Sequence, residues 1–254
     1  MAKLPALVTA LSEVDGRDRK TVDHIARTIR ERGYITTGKR GGGAVDMTAH
    51  EAANLLIALN GADAPKDGPT AIDRFRSLRQ QFFGTAKDIR ERIDSYDRHI
   101  KPIQDVMDVD TFGEAFDSLI EDVPELVAAL RSYVHNAYND IDPAVLDDRL
   151  FIMMLRARIF GVEITFERYG AEIALFTPTG EPAGNRRVEF ETRFVQDEDR
   201  IESGFYGKQW PDRRISVTIG TPTLIAAWQA LHPGESLPGI PDLAPTPDNS
   251  EDGE

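Results

Sequence analysis

The sequence of 254 residues contains no cysteine. That absence excludes disulfides, thiol catalysis and cysteine-ligated zinc, and a cytosolic (cytoplasmic) protein fits it best. No stretch approaches the roughly 18 consecutive apolar residues of a membrane span, so no membrane partner is expected. The opening MAKLPALVTALSEVDGRDRK has neither an unbroken apolar run nor a small-residue cleavage site, and reads as the start of a helix. Histidine is sparse and scattered (His24, His50, His99, His135, His232), with no H-x-H, H-E-x-x-H or H-x-x-x-H pair to organise a metal. There is no G-x-S-x-G elbow, and GKRGGG lacks the G-x-x-x-x-G-K-[ST] order of a phosphate loop. DVMDVDTFGE is faintly like a calcium loop, but Phe112 and Leu119 stand where ligating oxygens are required. The expectation is a protein that is not an enzyme and uses no cofactor or metal.

Positive charge is also in short supply: 30 Lys and Arg against 43 Asp and Glu, a net charge of -13. The deficit is uneven. Residues 1–45 hold nine basic side chains (Lys3, Arg17, Arg19, Lys20, Arg27, Arg30, Arg32, Lys39, Arg40) against five acidic ones (Glu13, Asp15, Asp18, Asp23, Glu31), a balance of +4. The remainder therefore carries -17. Such asymmetry suggests a basic module that meets an anion, attached to an acidic body.

Leu4, Leu7, Val8 and Leu11 recur at i, i+3, i+4 and i+7, which predicts a helix over 4–14. VDGR breaks it. Asp18 is placed to cap a second helix with the apolar stripe Val22, Ile25, Ala26 and Ile29, and Gly33 to end it in a left-handed cap. Tyr34–Thr37 favours a strand, GKRGGG a loop, and AVDM a second short strand. Thr48 with Glu51 matches a capping box that opens a third helix through Ala52, Ala53, Leu56 and Leu59.

Helix, turn, helix, strand, basic glycine loop, strand is the order expected of a winged helix-turn-helix. The segment RKTVDHIARTIRERGYITTGKRGGG resembles the recognition-helix-plus-wing segment of winged-helix regulators of the multiple-antibiotic-resistance repressor type. Followed by MTAHEAANLLIAL, it is also similar to the opening of proteins from phages and prophages of alphaproteobacteria. The resemblance covers about the first quarter of the chain. It implies a DNA-binding protein whose second helix enters the major groove while the hairpin tip reaches the backbone or minor groove. Only one helix precedes the candidate recognition helix, so the helix from Thr48 must complete the three-helix core.

The residues support the same reading directly. If Val22, Ile25, Ala26 and Ile29 face inward, Lys20, Thr21, His24 and Arg27 face outward, where they suit phosphate and base-edge contacts. Arg17, Arg19, Lys39 and Arg40 suit anchoring to the DNA backbone, and the glycines around the last two permit close approach. The bland alternative is a set of solvated charges on a helix and a hairpin tip.

Residues 61–69, GADAPKDGP, read as a linker. A helical middle follows in AIDRFRSLRQQFF, TAKDIRERIDSYDRHI, TFGEAFDSLI and VPELVAALRSYVHNAY. From about residue 150 the period becomes two. Val162, Ile164 and Phe166, then Val188, Phe190, Thr192 and Phe194, then Ile215, Val217 and Ile219 mark half-buried antiparallel strands; 171–177 and 200–206 are further candidates. A helix over Thr223–Leu231 would cover one face, and the last stretch is proline-rich and acidic. The expected fold class is α+β, divided into 1–62 (winged helix-turn-helix), 63–148 (helical linker or oligomerisation region), 149–232 (antiparallel sheet with a covering helix) and 233–254 (disordered acidic tail). The expected function is a sequence-specific, phage or prophage-type transcriptional regulator. It would bind double-stranded DNA as a homo-oligomer, a dimer being favoured. The alternatives are a small-terminase-like phage assembly protein, or an interaction protein whose basic finger binds an acidic partner.

Overall fold

The computed structural model describes residues 3–36, 46–81, 100–138, 147–168, 170–178, 186–196 and 216–241. Helix α1 (Leu4–Asp15) carries a proline in its first turn and stops at Gly16, whose φ of 70° a residue with a side chain rarely adopts. Helix α2 (Arg19–Glu31) is capped by Asp18, which accepts from the Lys20 amide at 3.4 Å, and buries Val22, Ile25, Ala26 and Ile29 as the spacing expects. Helix α3 (Ala49–Gly61) opens on the Thr48/Glu51 capping box. Ten of its residues besides Glu51 are buried, which makes it the central helix rather than a surface one. It packs against α2, against helix α4 (Gly68–Arg76), and against the sheet described below.

Among the described residues, neither strand expected around the basic loop is present. Residues 34–36 and 46–48 are irregular, and their donors go to a side chain instead of a ladder: the Thr36 amide donates to Glu51 Oε1 at 2.6 Å and the Thr48 amide to Glu51 Oε2 at 3.0 Å. Asn54 Nδ2 donates to the Tyr34 carbonyl at 2.9 Å, and the Tyr34 hydroxyl to Asp73 at 2.6 Å. Charge-assisted bonds to a fixed carboxylate are stronger than neutral ladder bonds, so the capping residue prevails over local strand propensity. Residues 37–45, including the expected wing tip, lie outside the described residues.

A second correction falls in AIDRFRSLRQQFF, which is not one helix. α4 ends at Arg76, and Arg79–Gln81 is strand β1. The Phe112 amide donates to the Leu78 carbonyl at 2.9 Å, the Gln80 amide to Asp110 at 3.0 Å, and Gln80 Nε2 to Thr192 at 2.9 Å. These partners come from remote chain, and tertiary pairing overrides helical propensity. The helical middle continues as α5 (Lys101–Asp108), α6 (Phe112–Glu121, opened by a Thr111/Glu114 capping box) and α7 (Val123–Ala137). Helix α8 (Asp148–Arg156), capped by Asp147 onto the Leu150 amide at 2.8 Å, was not expected from the sequence. The expected elements at 85–99 and 200–206 lie outside the described residues.

Strands β2 (Gly161–Glu167), β3 (Gly170–Pro178), β4 (Arg186–Val195) and β5 (Ser216–Gly220) join β1 in a five-stranded antiparallel sheet ordered β1-β4-β3-β2-β5. Helix α9 (Thr221–Leu231) follows. With nine α-helices and five strands among the described residues, the fold is mixed α+β, as expected. Val162, Ile164, Phe166, Ile173, Leu175, Phe190 and Phe194 bury the face toward the helices. The opposite face is polar, with Glu163–Arg186 at 2.6 Å and Glu172–Arg193 at 2.9 Å. Phe112 on α6 is fully buried, its ring 5.5 Å from Phe116, 5.8 Å from Phe166, 5.5 Å from Phe194 and 6.2 Å from Phe75, so one aromatic cluster joins α4 and α6 to the sheet.

α9 covers β2 and β5 but also packs against α1, so the first and last helices are neighbours. The buried side chains form one contiguous cluster from Leu7 to Ile240. The expected tail boundary at 233 must also move: Leu237 and Ile240 are buried, Arg131 donates to the Pro238 carbonyl at 3.1 Å, and Gln229 to the Pro241 carbonyl at 3.0 Å. Two apolar residues dock a segment whose proline and glycine content resembles that of disordered chain. Residues 242–254 lie outside the described residues.

Candidate nucleic-acid interface

α2 positions the candidate face. Its apolar stripe is wholly used in the core, and at about 100° per residue Lys20, His24, Arg27 and Glu31 project opposite that stripe, all exposed. Thr21 is exposed on one flank; Asp23 and Arg19 lie on the other. Asp18, Arg19, Lys20, Asp23, His24 and Arg27 line an open depression of about 580 Å³. The structure therefore brings Arg19, Lys20, His24 and Arg27 together, with Thr21 at the margin.

Three acidic residues, Asp18, Asp23 and Glu31, share this face, and none was among the expected contacts. Asp18 covers the α2 N-terminus, its carboxylate accepting from the Lys20 amide. Asp23 Oδ2 holds Arg27 NH2 at 3.1 Å in an i,i+4 ion pair. The signal for that pair was present as an Asp and an Arg four residues apart.

Arg17 is oriented differently. Its Nε pairs with Asp15 at 2.8 Å, NH1 donates to the Leu59 carbonyl and NH2 to Asn60 Oδ1 at 3.1 Å. The guanidinium thus satisfies the C-terminal end of α3 and ties it to the α1–α2 turn. Lys39 and Arg40 lie outside the described residues. The two ends of the segment that contains them meet at Glu51, which is 6% exposed. Burial pushes the Glu51 carboxyl up, but hydrogen bonds from Thr36 and Thr48 and the neighbouring His50 more than offset it, leaving it below the usual glutamate value.

A second polar cluster lies where α3, α4 and α6 meet. Asp117 accepts from Arg76 at 3.0 and 2.6 Å and contacts His50 Nδ1 at 2.9 Å, and Arg76 NH2 also approaches that nitrogen. Burial raises the Asp117 carboxyl above its ordinary value despite these cations, and lowers the Arg76 guanidinium. With Asp117 accepting both guanidinium nitrogens, the cluster clamps three helices together and presents no free cation pair. Among the described residues, no group of three or more His, Asp or Glu side chains is arranged to hold a metal ion, and no helix is long and apolar enough to cross a membrane.

No protein-family model, curated protein or solved structure matches this chain.

Proposed function

We propose that the chain is a sequence-specific DNA-binding protein, a transcriptional regulator of phage or prophage type, that presents the outer face of α2 to the major groove. The observation that carries this reading is that Lys20, His24 and Arg27 project together from a helix whose apolar stripe is fully committed to the core. No packing role accounts for their alignment, and a helix with exposed basic and polar side chains on one face suits the width of the major groove. The charge balance of +4 over residues 1–45 against -17 beyond directs an anionic duplex to that end. Lys20 and Arg19 serve phosphates, His24 and Arg27 base edges, and Lys39 and Arg40 the backbone beside the groove. The winged-helix form of this module and a homodimer on a palindromic site belong to the same proposal.

Selection of bound fragments from a random duplex pool tests it. A subset of fragments sharing a motif should be retained, and the affinity should fall with salt by about 0.9 log units per log unit of salt for each phosphate neutralised. Replacing Lys39 and Arg40 by alanine should weaken all sequences alike, whereas Arg27→Ala should relax preference at one base position. Retention of no duplex at low salt would refute the reading.

A further inference from the structure

Resting on the proposed DNA-binding role of α2, we infer that Asp23 is a specificity-determining residue, and that Asp23 and Arg27 read a single G·C pair as a unit. A carboxylate on a face that approaches phosphates is repulsive wherever it meets the backbone. It is favourable only over base edges, where the cytosine N4 amino group donates. Asp18 has a local task as the cap of α2, but Asp23 caps nothing, and its described partner is Arg27. Both side chains are more than half exposed, 58% for Arg27 and 56% for Asp23, so the pair projects into solvent rather than into the fold.

The geometry matches the edge it would read. Arg27 NH2 and Asp23 Oδ2 stand 3.1 Å apart, close to the ~2.9 Å hydrogen-bond spacing expected between cytosine N4 and guanine O6 within a base pair. Arg27 NH2 keeps a second N–H for guanine O6, the guanidinium has further N–H groups for N7, and Asp23 Oδ2 keeps a second lone pair for the cytosine N4 amino group. Each protein group then faces its complement, and the ion pair persists across the contact. The same pairing holds the Arg27 side chain in one orientation before DNA arrives, which lowers the ordering cost of binding. An A·T pair puts an amino group where Arg27 requires an acceptor.

The test compares the full-length protein with Asp23→Ala and Asp23→Asn, each taken through the same random-duplex selection and then through titration of the selected site and a copy with the read G·C pair changed to A·T. An exposed i,i+4 pair contributes little to folding, so both variants should fold normally. The wild-type protein should prefer G·C at that position by about tenfold or more. Asp23→Ala should reduce the preference severalfold, the Arg27 contact to guanine remaining, while binding random duplex more tightly at low salt, because a charge that repels phosphates is gone. Asp23→Asn should turn the preference toward A·T, since an Asn side chain pairs with adenine N6 and N7. A selected motif that is unchanged in both variants overturns the inference and leaves the DNA-binding reading standing. A wild-type protein that retains no duplex overturns both.

Discussion

Glu51 offers a sharp test of how the two ends of the basic glycine segment are held. Its carboxylate accepts from the Thr36 and Thr48 amides at 2.6 and 3.0 Å, and its own amide donates to the Thr48 hydroxyl at 3.3 Å. A hydrogen bond to a charged group contributes about 1.5–3 kcal/mol. Discounting two such bonds for the burial of the carboxylate, Glu51→Ala should cost about 3 kcal/mol. Glu51→Gln keeps one acceptor oxygen and should cost about half as much, ~1.5 kcal/mol. In urea unfolding with a slope of ~3 kcal/mol/M, these losses move the midpoint by about 1 M and 0.5 M. The pH dependence has a definite sign. Because the folded carboxyl titrates below its ordinary value, its contribution is fully present above the unfolded glutamate pKa of about 4.3 and is lost as pH falls through the folded value. The gap between wild type and Glu51→Gln should therefore be largest near neutrality and narrow on acidification toward pH 3. A glutamine variant as stable as wild type at pH 7, or a gap independent of pH, would refute this account of the loop base.

Phe112 sits at the centre of the rings that join α4 and α6 to the sheet, so Phe112→Ala should cost about 3–5 kcal/mol and lower Tm by roughly 10 °C in calorimetry. Arg17→Ala removes bonds to the end of α3 and should lower stability by about 1–2 kcal/mol while leaving the salt dependence of DNA affinity unchanged. Lys20→Ala should do the reverse, reducing the salt slope by about 0.9 with little effect on urea midpoints. An Arg17→Ala slope that falls as Lys20→Ala does would place Arg17 on the duplex after all.

Much of the helical framework was readable from local chemistry. Gly16, Asp18 and Gly33 delimit α1 and α2, and the Thr48/Glu51 box opens α3, because caps and left-handed turns depend on residues within a few positions of each other. The alternation of Val162, Ile164 and Phe166 marks β2 for the same kind of reason. The face of α2 was equally legible, since a helix places residues by angle alone: its stripe inward leaves Lys20, His24 and Arg27 outward.

What local chemistry could not supply was the partner of each group. Arg17, an unremarkable basic residue in the chain, finds the end of a helix more than forty positions away. Gln80 finds Thr192, and a segment with helical periodicity becomes an edge strand as a result. Glu51 is recognisable as a cap, yet only the folded chain shows that Thr36 shares its carboxylate, and that strand-forming residues beside it consequently stay irregular. Leu237 and Ile240 dock because α7 and α9 provide a surface for them, although their neighbours have the composition of a free tail. Propensity and periodicity act over a few residues and determine which elements can exist. Burial and hydrogen-bond partnership depend on chain brought together from far apart, so they decide which of those elements survive and which charges remain available to a partner.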